Sequence, residues 1–453
     1  MTEVNHTVDP WLPIMALSKR IRILESVFLL IAFLTTARDL EAQDSAQRFS
    51  LHFQLTTITQ QHTGFTAPYE GPKSLRQDEH AATSMTATLF AGLRISKHTE
   101  LYLNSEMAGG TGLSGATGVA GFTNGETFRV GDPRPVIIMA RFFIRHIIPL
   151  SDRSEWRDEA ANNLRVRVPI RYLAFHLGKI SLADYFDYNG YSHDPREHFL
   201  NWALMSAGAW DYAADVRGYT WGAVGEWVTP KWEARIATAL LPKEANGAKL
   251  NWNYGKSFSW QAEVVRHWGK DDHAAIRALV FYNYGPMGSY QKAMLASPPD
   301  LIVTRKNGRS NFGWGLNLEQ PINENSGVFG RISWNQGMTE TWCFTEIDRS
   351  LTYGYVLKGN KWRRSSDALG IAMIHNGISR DHQDFLAIGG AGFMVGDGKI
   401  RYGMENILET YYKFDLLHGR IMISPDYQLV LNPAYNKDRG PVHFFGIRFH
   451  TQW

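Results

Sequence analysis

The closing stretch of the chain, Gly440 to Trp453, is written on a two-residue period. Phe445, Ile447, Phe449, Thr451 and Trp453 fall on one parity, and Arg448, His450 and Gln452 fall on the other. Side chains alternate faces along a β-strand, so this stretch predicts a strand with an aromatic, apolar face and a polar face. A soluble sheet can carry the same pattern. A final strand ending on an aromatic is more typical of a membrane β-barrel, where it closes the sheet against the first strand.

The same period recurs along the chain. Phe49, Leu51, Phe53 and Leu55 alternate with Ser50, His52, Gln54 and Thr56, and Phe312, Trp314, Leu316 and Leu318 oppose Asn311, Gly313, Asn317 and Glu319. Sixteen such segments are predicted, over 49–60, 82–95, 99–107, 135–148, 165–182, 217–228, 231–241, 256–268, 273–284, 310–320, 326–336, 342–356, 366–377, 399–413, 418–431 and 441–453. No helical stripe of period 3.6 competes with them. Connections after even-numbered strands are mostly short, such as Thr229-Pro230 and Phe414 to Leu417. Those after odd-numbered strands are mostly long, such as 61–81, 108–134, 183–216 and 378–398. The gap at 149–164 is too long for this rule and 337–341 too short. Short turns on one side and long loops on the other define an outer-membrane barrel, with both termini on the short-turn side and an even strand number.

Bulk properties narrow the class further. A mean hydropathy of -0.28 excludes a bundle of many apolar helices, and a formal charge of +3 without a basic run gives no reason to expect nucleic acid as a partner. The single cysteine, Cys343, falls in a predicted strand and excludes an intrachain disulfide or a Cys-rich zinc site. Trp227, Trp232, Trp268, Tyr282 and Tyr284 lie near strand ends, where aromatic rings favour the membrane–water boundary. The expected fold is all-β: a sixteen-stranded antiparallel transmembrane barrel spanning residues 43–453 as one domain, wide enough for an aqueous channel.

Residues 1–42 predict a signal peptide. Lys19, Arg20 and Arg22 precede the mostly apolar run Ile23–Ala37, and Leu40-Glu41-Ala42 offers cleavage after Ala42; Met15 is an alternative start. A retained anchor is the other reading, but the run is shorter than the roughly 20 residues a spanning helix needs. The Gly389–Gly398 stretch lacks the Gly-Lys-Ser/Thr ending of a phosphate loop, and no alternating acidic ligands surround Asp397 for calcium. No catalytic residue, metal site or cofactor is expected. Asp194 to Met205 breaks the strand pattern inside the longest loop and predicts a short helix with Pro195 early in it. That segment is either an external cap or a loop folded into the lumen.

Several blocks resemble one family. Ser192-His193-Asp194-Pro195-Arg196, Phe199 to Leu204, Gly208 to Tyr212 and Arg217 to Thr220 are similar to the carbohydrate-selective porins of the OprB family. So are Gly121 to Glu126, Ile347 to Ser350, Gly396 to Gly398, Glu409 to Tyr412 and Ser424 to Pro433. The resemblance covers essentially all of the chain after residue 42. It implies a sixteen-stranded outer-membrane barrel for passive diffusion of small sugars. The alternatives are a porin without sugar selectivity and, behind it, a barrel enzyme.

Strand parity nominates Glu106, Arg141, Arg145, Arg235, Glu263, Arg277, Arg331, Glu405 and Glu409 as pore-lining, substrate-binding candidates. An Arg facing lipid near mid-bilayer costs about 2–4 kcal/mol, so inward is the default for such residues. The bland alternative is that most of them solvate the lumen or pair with one another. The expected partners are small sugars, outer-membrane lipid and, through the C-terminal strand, the barrel assembly machinery.

Overall fold

Backbone groups inside a bilayer find no water, so a sheet that crosses one must close on itself. In the computed structural model, which describes residues 46–127, 135–269, 273–344 and 346–453, the alternating segments do this. The first barrel strands are β1 (Phe49–His62), β2 (Ala82–Ser96), β3 (Thr99–Gly110) and β4 (Val136–Pro149). A small hairpin, β5 (Ser154–Arg157) and β6 (Val166–Pro169), intervenes. The barrel resumes with β7 (Tyr172–Ile180), β8 (Thr220–Val228), β9 (Trp232–Ala239), β10 (Phe258–Trp268), β11 (Ala274–Gly285) and β12 (Arg309–Asn323). It finishes with β13 (Ser326–Asn335), β14 (Arg349–Gly359), β15 (Arg364–Gly377), β16 (Glu405–Asp415), β17 (Ile421–Leu431) and β18 (Val442–Gln452).

Sixteen strands form the closed barrel, each antiparallel to its neighbours, with β4 pairing β7 across the hairpin. The final strand closes the ring as expected. Its register against β1 runs from Gln54 opposite Gln452 to His62 opposite Phe444. Closure leaves the sheet no open edge. Short turns and the chain ends of the barrel gather at one end, and the long loops at the other.

The burial pattern is inverted relative to a soluble sheet. On β12, Phe312, Trp314, Leu316 and Leu318 point outward, with Leu316 40% exposed, while Asn317 is 2% exposed and Asn311 and Glu319 are buried inside. On β18, Phe445, Ile447 and Phe449 point outward and Arg448 and His450 are buried within. Thr451 is covered by Trp453, whose Nε1–H donates to its hydroxyl at 2.8 Å. An outward apolar band around a polar interior is the membrane-barrel arrangement.

Four expectations are corrected. The single strand expected over 165–182 is two. Val166–Pro169 belongs to the hairpin, where it pairs Ser154–Arg157, and the barrel strand begins at Tyr172, because four residues, 150–153, face only two, 170–171, between the two ladders. That hairpin also explains the overlong turn at 149–164. β14 starts at Arg349, so the short loop expected at 337–341 is longer and Cys343 lies in it rather than in a strand. There, the N–H groups of Trp342 and Cys343 donate to the buried Asp211 carboxylate at 2.9 and 2.7 Å, which replaces a ladder partner. β16 starts at Glu405 rather than 399. Finally, the helix expected near Pro195 is α1 (Trp202–Met205), and Asp194 to His198 is a turn in which the His198 N–H donates to the Asp194 carbonyl at 2.8 Å. The signal peptide lies outside the described residues.

Candidate functional site: loops folded into the lumen

Backbone N–H groups of a loop packed inside a barrel need acceptors, and the barrel wall supplies them. Glu405 accepts from the N–H groups of Ala120 (2.9 Å), Gly121 (2.7 Å) and Ala434 (2.9 Å). Glu409 accepts from Leu200 at 2.5 Å and Asn201 at 3.0 Å, and Glu263 from Asp187 at 2.7 Å. Arg331 pairs with the Asp187 carboxylate at 3.0 Å and donates to Ser192 Oγ (2.6 Å) and the Leu204 carbonyl (3.0 Å). These contacts hold the β3–β4 loop and the β7–β8 loop inside the barrel. Of the two readings of Asp194 to Met205, the lumenal one is what the structure has.

The β7–β8 loop is built to lie there. Asn201 caps α1 by accepting from the Ala203 N–H at 3.0 Å. Its Nδ2 donates to the Gly121 carbonyl at 2.7 Å and to Gln428 at 2.9 Å, tying both loops to β17. The phenol end of Tyr191 rests on Gly327, where an added Cβ would come within 2.1 Å of the ring, so a larger residue there would displace it. Arg448 donates to the Pro195 carbonyl at 2.7 Å. Burial pushes the His198 imidazole down to about 4, so it is neutral beside that guanidinium at physiological pH.

All nine candidates from strand parity face the interior, but most are engaged in structure. Arg277 pairs with Glu319 at 2.7 Å. Arg235 pairs with Glu226 at 2.8 Å, with Glu263 at 3.3 Å and with Glu233. Arg145 pairs with Glu100 beneath Tyr102. Glu263, Arg331, Glu405 and Glu409 anchor loops as described. Glu106 and Arg141 line a cavity of about 160 Å³ between wall and loops. Arg141 reaches it through a β-bulge. Asn104 pairs Arg141 while Ser105 pairs Met139, so Ala140 is an extra residue and Arg141 turns inward although Met139 faces out.

Both signs of charge meet at this cavity in close pairs. Arg141 makes a two-pronged contact to Asp184 with both distances at 2.6 Å. Arg196 lies 3.0 Å from Glu126 and 3.6 Å from Glu106. Tyr219 donates to Glu106 at 3.0 Å and lies beneath the Arg141 guanidinium at 5.1 Å. Burial raises the Asp194 carboxyl, but Arg196 and its backbone N–H outweigh that and hold it below the usual carboxylate value. Beside the charges runs a stack of near-parallel rings. Phe122 and Trp202 are 6.2 Å apart at 16°, Trp202 and Phe344 4.8 Å at 21°, and Phe344 and Tyr212 4.8 Å at 20°. Trp202, Tyr212 and Phe344 border the cavity. The Trp202 Nε1–H is buried with no hydrogen-bond partner among the described residues.

Parity reasoning missed Glu126, Asp184, Arg196, Tyr219 and the ring stack, because it speaks only about strands. The signal that held most of them was the block resemblance, since Gly121–Glu126, Ser192–Arg196, Gly208–Tyr212 and Arg217–Thr220 are those loop segments.

A closed barrel with a lipid-facing exterior, a polar interior and loops folded across its lumen defines an outer-membrane porin. The model of the carbohydrate-selective porin, OprB family, matches residues 72–453, and the chain belongs to that family. It is similar to Porin AaxA of Chlamydia pneumoniae, 30% identical over 151 residues, which are 33% of this chain and 30% of the relative's length. A second Porin AaxA, of Chlamydia abortus, is 29% identical over 136 residues, 30% of this chain and 26% of that one. Among solved structures, OprB of Pseudomonas putida has a TM-score of 0.67 at 14% identity, covering 90% of this chain and 94% of that chain. The outer membrane channel DcaP of Acinetobacter baumannii has a TM-score of 0.51 at 7% identity, covering 91% and 99%. These two structural likenesses are of fold.

Proposed function

We propose that the barrel is a passive channel selective for small neutral sugars, with the β7–β8 loop as its constriction. The observation that carries this is the cavity beside the β7–β8 loop, where the Arg141–Asp184 and Arg196–Glu126 pairs and the Trp202, Tyr212 and Phe344 rings line one space. Sugars present apolar C–H faces as well as hydroxyls, so an aromatic surface and paired charges serve them together. Charges neutralised in pairs hydrogen-bond a polyol without favouring ions of either sign. Transient contacts of this kind allow entry and release.

Swelling of liposomes containing the protein, in sugars, amino acids and salts of matched size, tests the reading. Hexoses are expected to enter faster than size-matched amino acids. Trp202→Ala should reduce that preference about threefold, the equivalent of a lost aromatic contact of about 0.5–1 kcal/mol. Rates that follow solute size alone would leave a porin without sugar selectivity. Lipid hydrolysis without permeation would instead point to an enzyme.

The same proposal covers targeting. Residues 1–42 are a cleaved signal peptide, and the β18 face carrying Phe445 to Trp453 is read by the barrel assembly machinery before it contacts lipid. N-terminal sequencing of the inserted protein should begin at Gln43. Deleting Trp453 should lower insertion more than sugar preference; normal assembly of that truncation would remove the second claim.

A further inference from the structure

The β5–β6 hairpin is the exception to the turn-length rule, and its position inside the barrel has a consequence for permeation. It connects β4 to β7 at the short-turn end, which is the periplasmic end of such barrels. It does not hang free there. Arg157 donates to Glu100 at 2.6 Å, the Asn163 side chain accepts from Arg145 at 3.0 Å, and the Leu164 N–H donates to the Tyr102 hydroxyl at 3.3 Å. Glu159 pairs with His52 at 3.0 Å. Gln47 and Arg165 exchange two hydrogen bonds, each 2.9 Å. His52, Glu100, Tyr102 and Arg145 belong to the inward faces of β1, β3 and β4, alternating with outward residues such as Leu103 and Ile144. The hairpin therefore folds into the lumen against three strands. Leu164 is fully buried there.

We propose that this hairpin is a second constriction, at the periplasmic mouth, and that it limits solute size independently of the β7–β8 loop. Its rigidity has a visible source. Glu100 holds Arg145 from the wall and Arg157 from the hairpin at once, and Trp156 lies beneath Arg165 at 4.4 Å and Arg167 at 5.2 Å. Charged groups bound in pairs cannot swing aside for a neutral polyol, so a solute must pass the remaining aperture. The loop cavity would then recognise the solute and the hairpin would cut off its size. This rests on the channel reading above.

The experiment uses the full chain in planar bilayers and liposomes. Ala160→Cys places a thiol on an exposed residue near the hairpin tip, while the native Cys343 is buried. A bulky charged methanethiosulfonate is expected to reduce conductance of this variant by about half, with no effect on the native chain. Replacing residues 151–170 by a short turn is expected to raise conductance about twofold and admit larger oligosaccharides, while the preference for hexoses over amino acids persists. Conductance unchanged in either variant overturns the proposal. A native chain that passes neither ions nor sugars overturns the channel reading instead.

Discussion

Replacing Arg331 by alanine is expected to release the β7–β8 loop from the wall. Arg331 is 2% exposed and ties together Asp187, Ser192 and Leu204 across that loop. Its removal leaves the Asp187 carboxylate buried without its cation and strips carbonyls of their donor. Breaking a buried pair in this way costs about 3–5 kcal/mol. The barrel strands hold one another through their own ladders, so the loss falls on the loop. Protease should then cut within 181–219 in membrane-inserted protein, and single-channel conductance should rise as hexose preference falls. Arg331→Lys should recover only part, because a single ammonium cannot reproduce the guanidinium fork. Native-like protease resistance and conductance in the alanine variant would show that the loop is held by other contacts.

The second large effect is on the outer face. Leu316 lies mid-strand on β12, opposite Ala278 and Ile332 of its neighbours, with its side chain outward. Leu316→Arg is expected to destabilise the barrel by about 2–4 kcal/mol, measured as reversible unfolding from lipid vesicles. On a water-facing surface the same change would stay within about 0.5 kcal/mol. A cost in that lower range would mean that this face does not meet hydrocarbon.

The fold was largely legible because a two-residue period is a local property. Phe312 to Leu318 against Asn311 to Glu319 needs no partner to be recognised, and turn lengths then assign the ends of the barrel. Legibility failed where tertiary contacts outweigh local pattern. Trp342 and Cys343 look like a strand, yet their N–H groups are taken by Asp211 from another loop. Val166–Pro169 and Tyr172–Ile180 look like one strand, but the partner strand carries two extra residues between Pro149 and Ser154 and splits the ladder there.

The candidate site divides the same way. Parity placed Glu405 and Glu409 inside, but it could not show that they spend their oxygens on Ala120, Gly121, Leu200 and Asn201 rather than on a solute. It likewise carried no account of why Arg141 faces in beside an outward Met139, since the bulge at Ala140 exists only in the pairing with β3.

By itself, then, the sequence determined most of the barrel strands, their faces, their even number and the closing role of β18, because alternation and turn length are set by neighbours in the chain. Only the tertiary structure decided that the β7–β8 loop and the β5–β6 hairpin fold inward, and which charges meet there. Those contacts join residues such as Arg331 and Asp187, or Arg448 and Pro195, that are far apart along the chain. Their pairing is chosen by the need to satisfy buried charges and backbone groups once the barrel has closed around them.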